Sequence, residues 1–186
     1  MSRIPITEFQ ELAGVPCLVE VDELVPLRFR TYDRPIGAEY LRLGNHSTRL
    51  AELIIDPLSH LLRGATLTLF DSFAPWVAPN ETAPSRGLPR LLMQNATGRR
   101  IDANSDFSVS MKDNELLLTW DDLARVSKSS VYGDVQFLLV GDNLSGIRFF
   151  DLSPEAVSLL SRFPKTNLAS RAISLKPASL LPPRPR

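Results

Sequence analysis

The chain offers little to a search for a nucleophile: one cysteine, Cys17, and two histidines, His46 and His60. With Ser47, Ser59 and Asp56 nearby in sequence, the histidines supply the residue types of a nucleophile, base and carboxylate relay. No Gly-x-Ser-x-Gly elbow accompanies them, and Cys17 follows Pro16 instead of opening a helix that would lower its pKa. One cysteine and two histidines fall short of a zinc ligand set. Asp113, Asp121, Asp122, Asp134 and Asp142 crowd the turns of the C-terminal half, which raises calcium as a ligand. Their spacing fits no calcium loop, and aspartates at turns bond local amides for purely structural reasons. The nine glycines are scattered, with no phosphate-cradling run among them. The reading is a non-enzyme with no metal and no cofactor.

Chemistry of contact remains. Trp120 is followed directly by Asp121 and Asp122, an aromatic anchor beside acidic residues of the kind that hold interfaces together. Asp134 and Asp142 add carboxylates at the two turns that flank the apolar run between them. These five residues form the expected partner-binding set. The competing assignment for Trp120, and for Trp76, is plain core burial, since tryptophan is highly buried on average.

Elements must position these groups. The clearest stretch runs from Asp134 to Glu155: an apolar strand, a Gly141-Asp-Asn143 turn, a second strand, then Ser153 as N-cap with Pro154 at the first helical position. Ala156, Val157, Leu159, Leu160 and Phe163 give that helix an apolar face, and Pro164 stops it. Upstream, Leu50 to Ile55 and Leu62 to Phe70 read as two strands around an Asp56-Pro57 turn. Leu27, Phe29 and Thr31 alternate with arginines as a half-exposed strand, and Glu39 to Leu43 returns across the Asp33 to Gly37 turn. Phe107 to Met111 and Glu115 to Trp120 form another hairpin around Lys112 to Asn114. The segment 121–126 reads as either one helical turn or an exposed loop.

At the N-terminus, Thr7 and Gln10 have capping-box spacing, with Ile6 as a hydrophobic staple, which predicts a short helix ended by Gly14 and Pro16. Pro75, Pro79, Pro84 and Pro89 make 73–90 an irregular excursion dividing two halves. The halves echo one another. Leu62-Arg-Gly64 leads into an apolar strand and Asp71, as Leu144-Ser-Gly146 leads into an apolar strand and Asp151. Internal duplication explains this, and so do the general demands of hairpins. The expected fold is α+β and β-rich: antiparallel sheets built from hairpins, with a short N-terminal and a C-terminal helix packed on them. Residues 1–164 form one globular domain, followed by a basic tail at 165–186.

Bulk properties narrow the setting. A hydrophobic fraction of 44% and a charged fraction of 23% are those of an ordinary globular chain. No apolar run is long enough for a membrane helix, the start lacks a signal-peptide core, and a lone cysteine suits a reducing cytoplasm. The tail holds five basic and no acidic residues, so 16 basic residues face 21 acidic ones in the body, about −5. A mildly acidic body argues against direct nucleic-acid binding and fits a basic protein partner.

The runs Glu115 to Asp122 and Val135 to Ser153 resemble small bacterial immunity proteins of the contact-dependent growth inhibition and polymorphic-toxin type, as does Leu50 to Leu69. Those proteins carry a strand, an Asp/Asn turn, a Leu-x-Gly-Ile strand and a Leu-Ser helix start. The resemblance covers about 60 residues and transfers no functional residue. It implies an inhibitor that binds a cognate toxin effector domain, commonly a nuclease, and covers its active or substrate surface. Two other classes stay open: an assembly component docking through its tail, and a small-ligand domain or enzyme.

Overall fold

The computed structural model describes residues 3–31, 35–80, 83–92, 100–103 and 105–164. Its strands are β1 (Ile4–Gln10), β2 (Cys17–Glu20), β3 (Leu27–Thr31), β4 (Glu39–Leu43), β5 (Leu50–Ile55), β6 (Leu62–Leu69) and β7 (Ser85–Arg86). There follow β8 (Leu88–Leu91), β9 (Arg100–Asp102), β10 (Ser108–Lys112), β11 (Glu115–Thr119), β12 (Lys128–Tyr132), β13 (Val135–Val140) and β14 (Asn143–Phe149). One α-helix, α1 (Pro154–Leu160), closes the described chain, with the Ser153 hydroxyl accepting from the Ala156 amide at its N-cap. The β-rich class is therefore as the alternating pattern implied.

The two halves trace the same path. The first forms a sheet in the order β2-β3-β6-β5-β4-β9, and the second one in the order β10-β11-β14-β13-β12-β7. In both, four antiparallel contacts are followed by one parallel edge strand, β9 on β4 and β7 on β12. Those edge strands come from the stretch linking the halves.

The repeated Leu-x-Gly is a shared backbone irregularity. Ile54 faces Gly64 and Ile55 faces Leu62, so Arg63 is skipped. Leu138 faces Gly146 and Leu139 faces Leu144, so Ser145 is skipped. A bulge bends its strand and increases the twist, which lets a sheet wrap over a core. The glycine beside it is needed for close approach: a Cβ on Gly64 would lie 2.8 Å from the Phe29 carbonyl oxygen, and one on Gly146 would lie 3.0 Å from that of Leu118.

The inner faces of the two sheets share one hydrophobic core. Phe29 of β3 meets Phe137 of β13 edge to face, with ring centroids 5.9 Å apart. Leu53, Ile55 and Leu67 from the first sheet, and Leu118, Ile147 and Phe149 from the second, are fully enclosed around them, and Leu160 and Phe163 close the end. A second, smaller cluster lies on the outer face of the second sheet. There Leu117 and Leu138 are covered by Leu123, Val126 and Trp76, and the Asn80 side-chain amide donates to the Val126 carbonyl at 3.3 Å.

The N-terminal helix is not present. Residues 4–10 form β1, which pairs with β8 and with the start of β14. Both presumed capping residues turn to a neighbouring strand instead: the Thr7 hydroxyl donates to the Arg90 carbonyl, and the Arg90 guanidinium donates to Gln10 Oε1 at 2.6 Å. A helix this short gains little alone, whereas exposed backbone on β8 and β14 satisfies a strand at once. Among the described residues the proline-rich excursion is irregular in its first part and paired in its second. Residues 73–80 run without regular structure across the second sheet, then β7 and β8 form, with Pro89 opposite Phe9 in a short ribbon where one missing N–H is tolerated. The segment 121–126 resolves into a 3₁₀ turn at Leu123–Arg125, capped by the Asp122 side chain. The Asp33 end of its turn and the tail 165–186 lie outside the described residues.

The bulges make a prediction. Gly64→Ala should lower stability by about 1–3 kcal/mol, because a backbone oxygen must move to admit the methyl group. Gly146→Ala should cost less, its contact being longer. Urea unfolding measures both, and a Gly64→Ala midpoint equal to wild type would show that the bulge does not depend on bare backbone.

Candidate functional site

The residues with catalytic chemistry are spread over turns. His46 and His60 adopt left-handed backbone conformations, φ 58° and 59°, at tight corners. The Asp56 carboxylate accepts from the amides of Leu58 and Ser59, and the Ser59 hydroxyl accepts from that of Leu61. Asp56 and Ser59 are thus engaged in holding the β5–β6 turn. His46 Nε2 stands 3.7 Å from Asp102, a carboxylate already gripped by Arg42 at 2.6 Å and 3.0 Å. Among the described residues no group of three His, Cys, Asp or Glu side chains could hold a metal ion.

Cys17 lies half-buried at the start of β2, packed against Gly133 so closely that a Cβ there would sit 2.6 Å from its own. Burial pushes its thiol up to about 11; the Asp134 amide pulls the other way, and the Asp134 charge adds to the rise. Desolvation of the thiolate is the larger effect, so this is a poor nucleophile.

The five expected contact residues do not share a surface. Trp120 is 3% exposed and belongs to the core, its indole N–H donating to the Leu144 carbonyl at 2.8 Å. It cannot anchor a partner, and the core assignment is the correct one. Asp122 spends its carboxylate on the 3₁₀ turn, accepting from the Ala124 amide, and the carboxylate of Asp121 accepts from the amide of Asp122. Asp142 pairs with Lys128 at 2.6 Å. These three stand toward the β13–β14 turn, since the Trp120 amide bonds the Ser145 carbonyl at the start of β14. Asp134 lies beyond the other end of β13, about 20 Å away at 3.3 Å per strand residue.

Asp134 has other company. The β10–β11 turn, the β12–β13 turn and the exit from β14 meet at one end of the second sheet. The Phe150 amide donates to the Asp134 carbonyl and the Leu152 amide to that of Asn114. The Asn114 amide also reaches Asp151 Oδ1 at 3.5 Å. Asp113, Asp134 and Asp151 are exposed there, joined by Glu155 in the first turn of α1. Among the described residues no ion pair neutralises any of the four, and Lys112 is the cation on the adjoining turn. Asp113 and Asp151 hold left-handed backbone, φ 53° and 58°, which short polar side chains tolerate. The Glu155 backbone amide, helped by the Ser153 hydroxyl, holds the Glu155 carboxyl below the usual range.

This end is a water-facing array of carboxylates, its turns cross-linked by hydrogen bonds, and is suited to meeting positive charge. The sequence reading picked out Asp134 and passed over Asp113, Asp151 and Glu155 as partner contacts. Each looks like ordinary turn or helix-start chemistry, and only strand pairing brings them together.

Two measurements test these placements. Trp120→Phe should cost about 1–2 kcal/mol by leaving the buried Leu144 carbonyl without its donor, while a polar surface role predicts no loss. Alkylation of Cys17 by iodoacetamide at pH 8 should be about 100-fold slower in the folded protein than in urea, the ratio that two pKa units give. Equal rates would place the thiol in water.

Comparison with known proteins found no family model and no curated protein that matches this chain.

Proposed function

We propose that this chain is an immunity-type binding protein, which neutralises a cognate bacterial toxin effector domain of basic, nuclease-like surface by covering its active or substrate-binding face. The observation that carries the reading is the carboxylate end of the second sheet: Asp113, Asp134, Asp151 and Glu155 exposed together with no ion pair among the described residues. A nuclease must present positive charge to phosphate, so a preformed negative surface competes for the same groups. The turns that carry Asp113, Asp134 and Asp151 are tied together by backbone bonds, which limits the entropy lost on docking. The resemblance of the hairpins to immunity proteins points the same way. No helix among the described residues is long and apolar enough to cross a membrane, and the cytoplasm remains the compartment in which such an inhibitor would act.

The functional face proposed here differs from the five-residue set expected from sequence. Trp120 leaves it for the core, and Asp121, Asp122 and Asp142 lie at the far end. The separation makes a direct test possible. The partner to try is a C-terminal effector domain encoded next to this chain's gene. Asp113→Lys combined with Asp134→Lys should slow association by at least about tenfold at low salt and flatten its salt dependence. At about 0.1 M salt, Asp121→Lys with Asp122→Lys should leave the association rate within about twofold, since those charges stand about two Debye lengths away. If the second pair slows association and the first does not, the proposed end is the wrong one. If the neighbouring domain neither binds nor is neutralised, the immunity reading itself fails.

A further inference from the structure

The two sheets share a path but not a surface, and the difference between them marks a second site. On the outer face of the second sheet, the central position of β14 is Arg148. Its guanidinium is clamped by Glu115 at 2.9 Å and 3.0 Å and reaches Gln136 at 3.4 Å. Beside it Leu117 and Leu138 are covered by the 3₁₀ turn and Trp76. That face is filled.

The corresponding row of the first sheet runs Glu52, Thr66, Arg28, Glu20 across β5, β6, β3 and β2. Thr66 stands where the other sheet has Arg148, Arg28 where it has Leu117, and Glu52 where it has Gln136. The next row places Gly64 between Ile54 and Arg30. A small residue and a bare glycine at the centre of the sheet leave a hollow of about 370 Å³. Arg28 and Arg30 of β3 stand on one side and Glu52 of β5 on the other, with the Thr66 and Thr68 hydroxyls and the apolar surface of Ile54 between them. That volume is within the range of sites for small molecules.

The charges are unevenly committed. Arg30 pairs with Glu20 at 3.1 Å, and the Arg63 Nε–H donates to the Thr31 hydroxyl at 2.9 Å. Arg42, beside Glu52, is taken up by Asp102. Arg28 is only partly exposed and has neither a hydrogen bond nor an ion pair among the described residues, the charge of Asp22 acting on it from a distance. Glu52 faces it across Thr66, two strand spacings or about 10 Å away.

We infer that the outer face of the first sheet is a binding site for a small oxyanion-bearing molecule, a carboxylate or phosphate whose anionic end meets Arg28 and Arg30 and whose hydroxyl or amino group reaches Glu52. A planar guanidinium grips either oxyanion through paired hydrogen bonds, and the Thr66 and Thr68 hydroxyls complete the shell. Glu52 sets the polarity of the ligand: a bare polyanion is repelled at that end, whereas a donor group is held. The site is independent of the carboxylate end and has the opposite charge preference.

The test is a titration of the full chain with inorganic phosphate and with lactate, a monocarboxylate carrying a hydroxyl, at ionic strength matched by sodium chloride, following the arginine Nε–Hε resonances. Saturable shifts of Arg28 and Arg30 with one anion or both, absent with chloride, are expected. The tighter of the two tells whether the natural ligand is a phosphate or a carboxylate. Arg28→Gln should weaken binding at least about tenfold by removing one charge-assisted contact. Thr66→Phe should do the same by filling the hollow without touching a charge. Both substitutions are at water-facing positions of paired strands, and the wild-type unfolding midpoint checks that each variant is folded. The inference is overturned if neither anion gives saturable shifts, if chloride reproduces them, or if both folded variants bind as wild type does.

Discussion

A β-sheet with one apolar face is stable only when that face is covered, and here the two sheets cover each other. The edge-to-face contact of Phe29 with Phe137 stands at the centre of this arrangement. Burying each phenylalanine contributes about 1.5–3 kcal/mol, and the enclosed leucines and isoleucines around the pair add terms of similar size. Much else in the chain follows from the need to bring these faces into contact. The bulges at Arg63 and Ser145 bend β6 and β14 over the core, and Gly64 and Gly146 let a neighbouring strand's carbonyl pass close by. Trp120 fits the same core because its one polar atom finds the Leu144 carbonyl.

Two sheets of one topology, bulged at the same place, are explained more economically by duplication than by hairpin grammar alone. Turn chemistry asks for Asp, Asn and Gly at corners, but it does not ask for the same strand order or for the same skipped residue. The inner faces must remain apolar, since each is the other's cover. The outer faces are under no such constraint, and there the halves differ. One became a small second core under Leu123, Val126 and Trp76, with Arg148 neutralised inside the polar part of the face. The other kept charges, hydroxyls and a hollow.

Legibility in the sequence tracked how local the deciding interaction was. The pairs β5–β6 and β13–β14 were plain because alternation and turn residues lie within the hairpins themselves. The helix after Ser153 was plain because its cap is three residues from the amide it accepts from. β1 was misread because Thr7 and Gln10 suit a capping box, and their true partners on β8 are 80 or more residues away. β12 went unread because Lys128-Ser-Ser130 looks polar, yet Ser129 and Ser130 are buried. The Ser130 hydroxyl is satisfied by the Gly87 carbonyl, and Ser129 accepts from Gln136. The carboxylate end was half legible: each aspartate announced a turn, and none announced its neighbours.

By itself, then, the sequence determined the β-rich class, the two main hairpins, the capped C-terminal helix and the echo between halves. Each of these rests on periodicity or on contacts within a few residues. Tertiary structure decided which carboxylates stand together, which tryptophan is core, and which sheet face stays open. Those outcomes depend on strand order and register, where residues far apart in the chain become neighbours. A one-residue difference in register or a different neighbour strand would leave every local pattern intact and move every surface group.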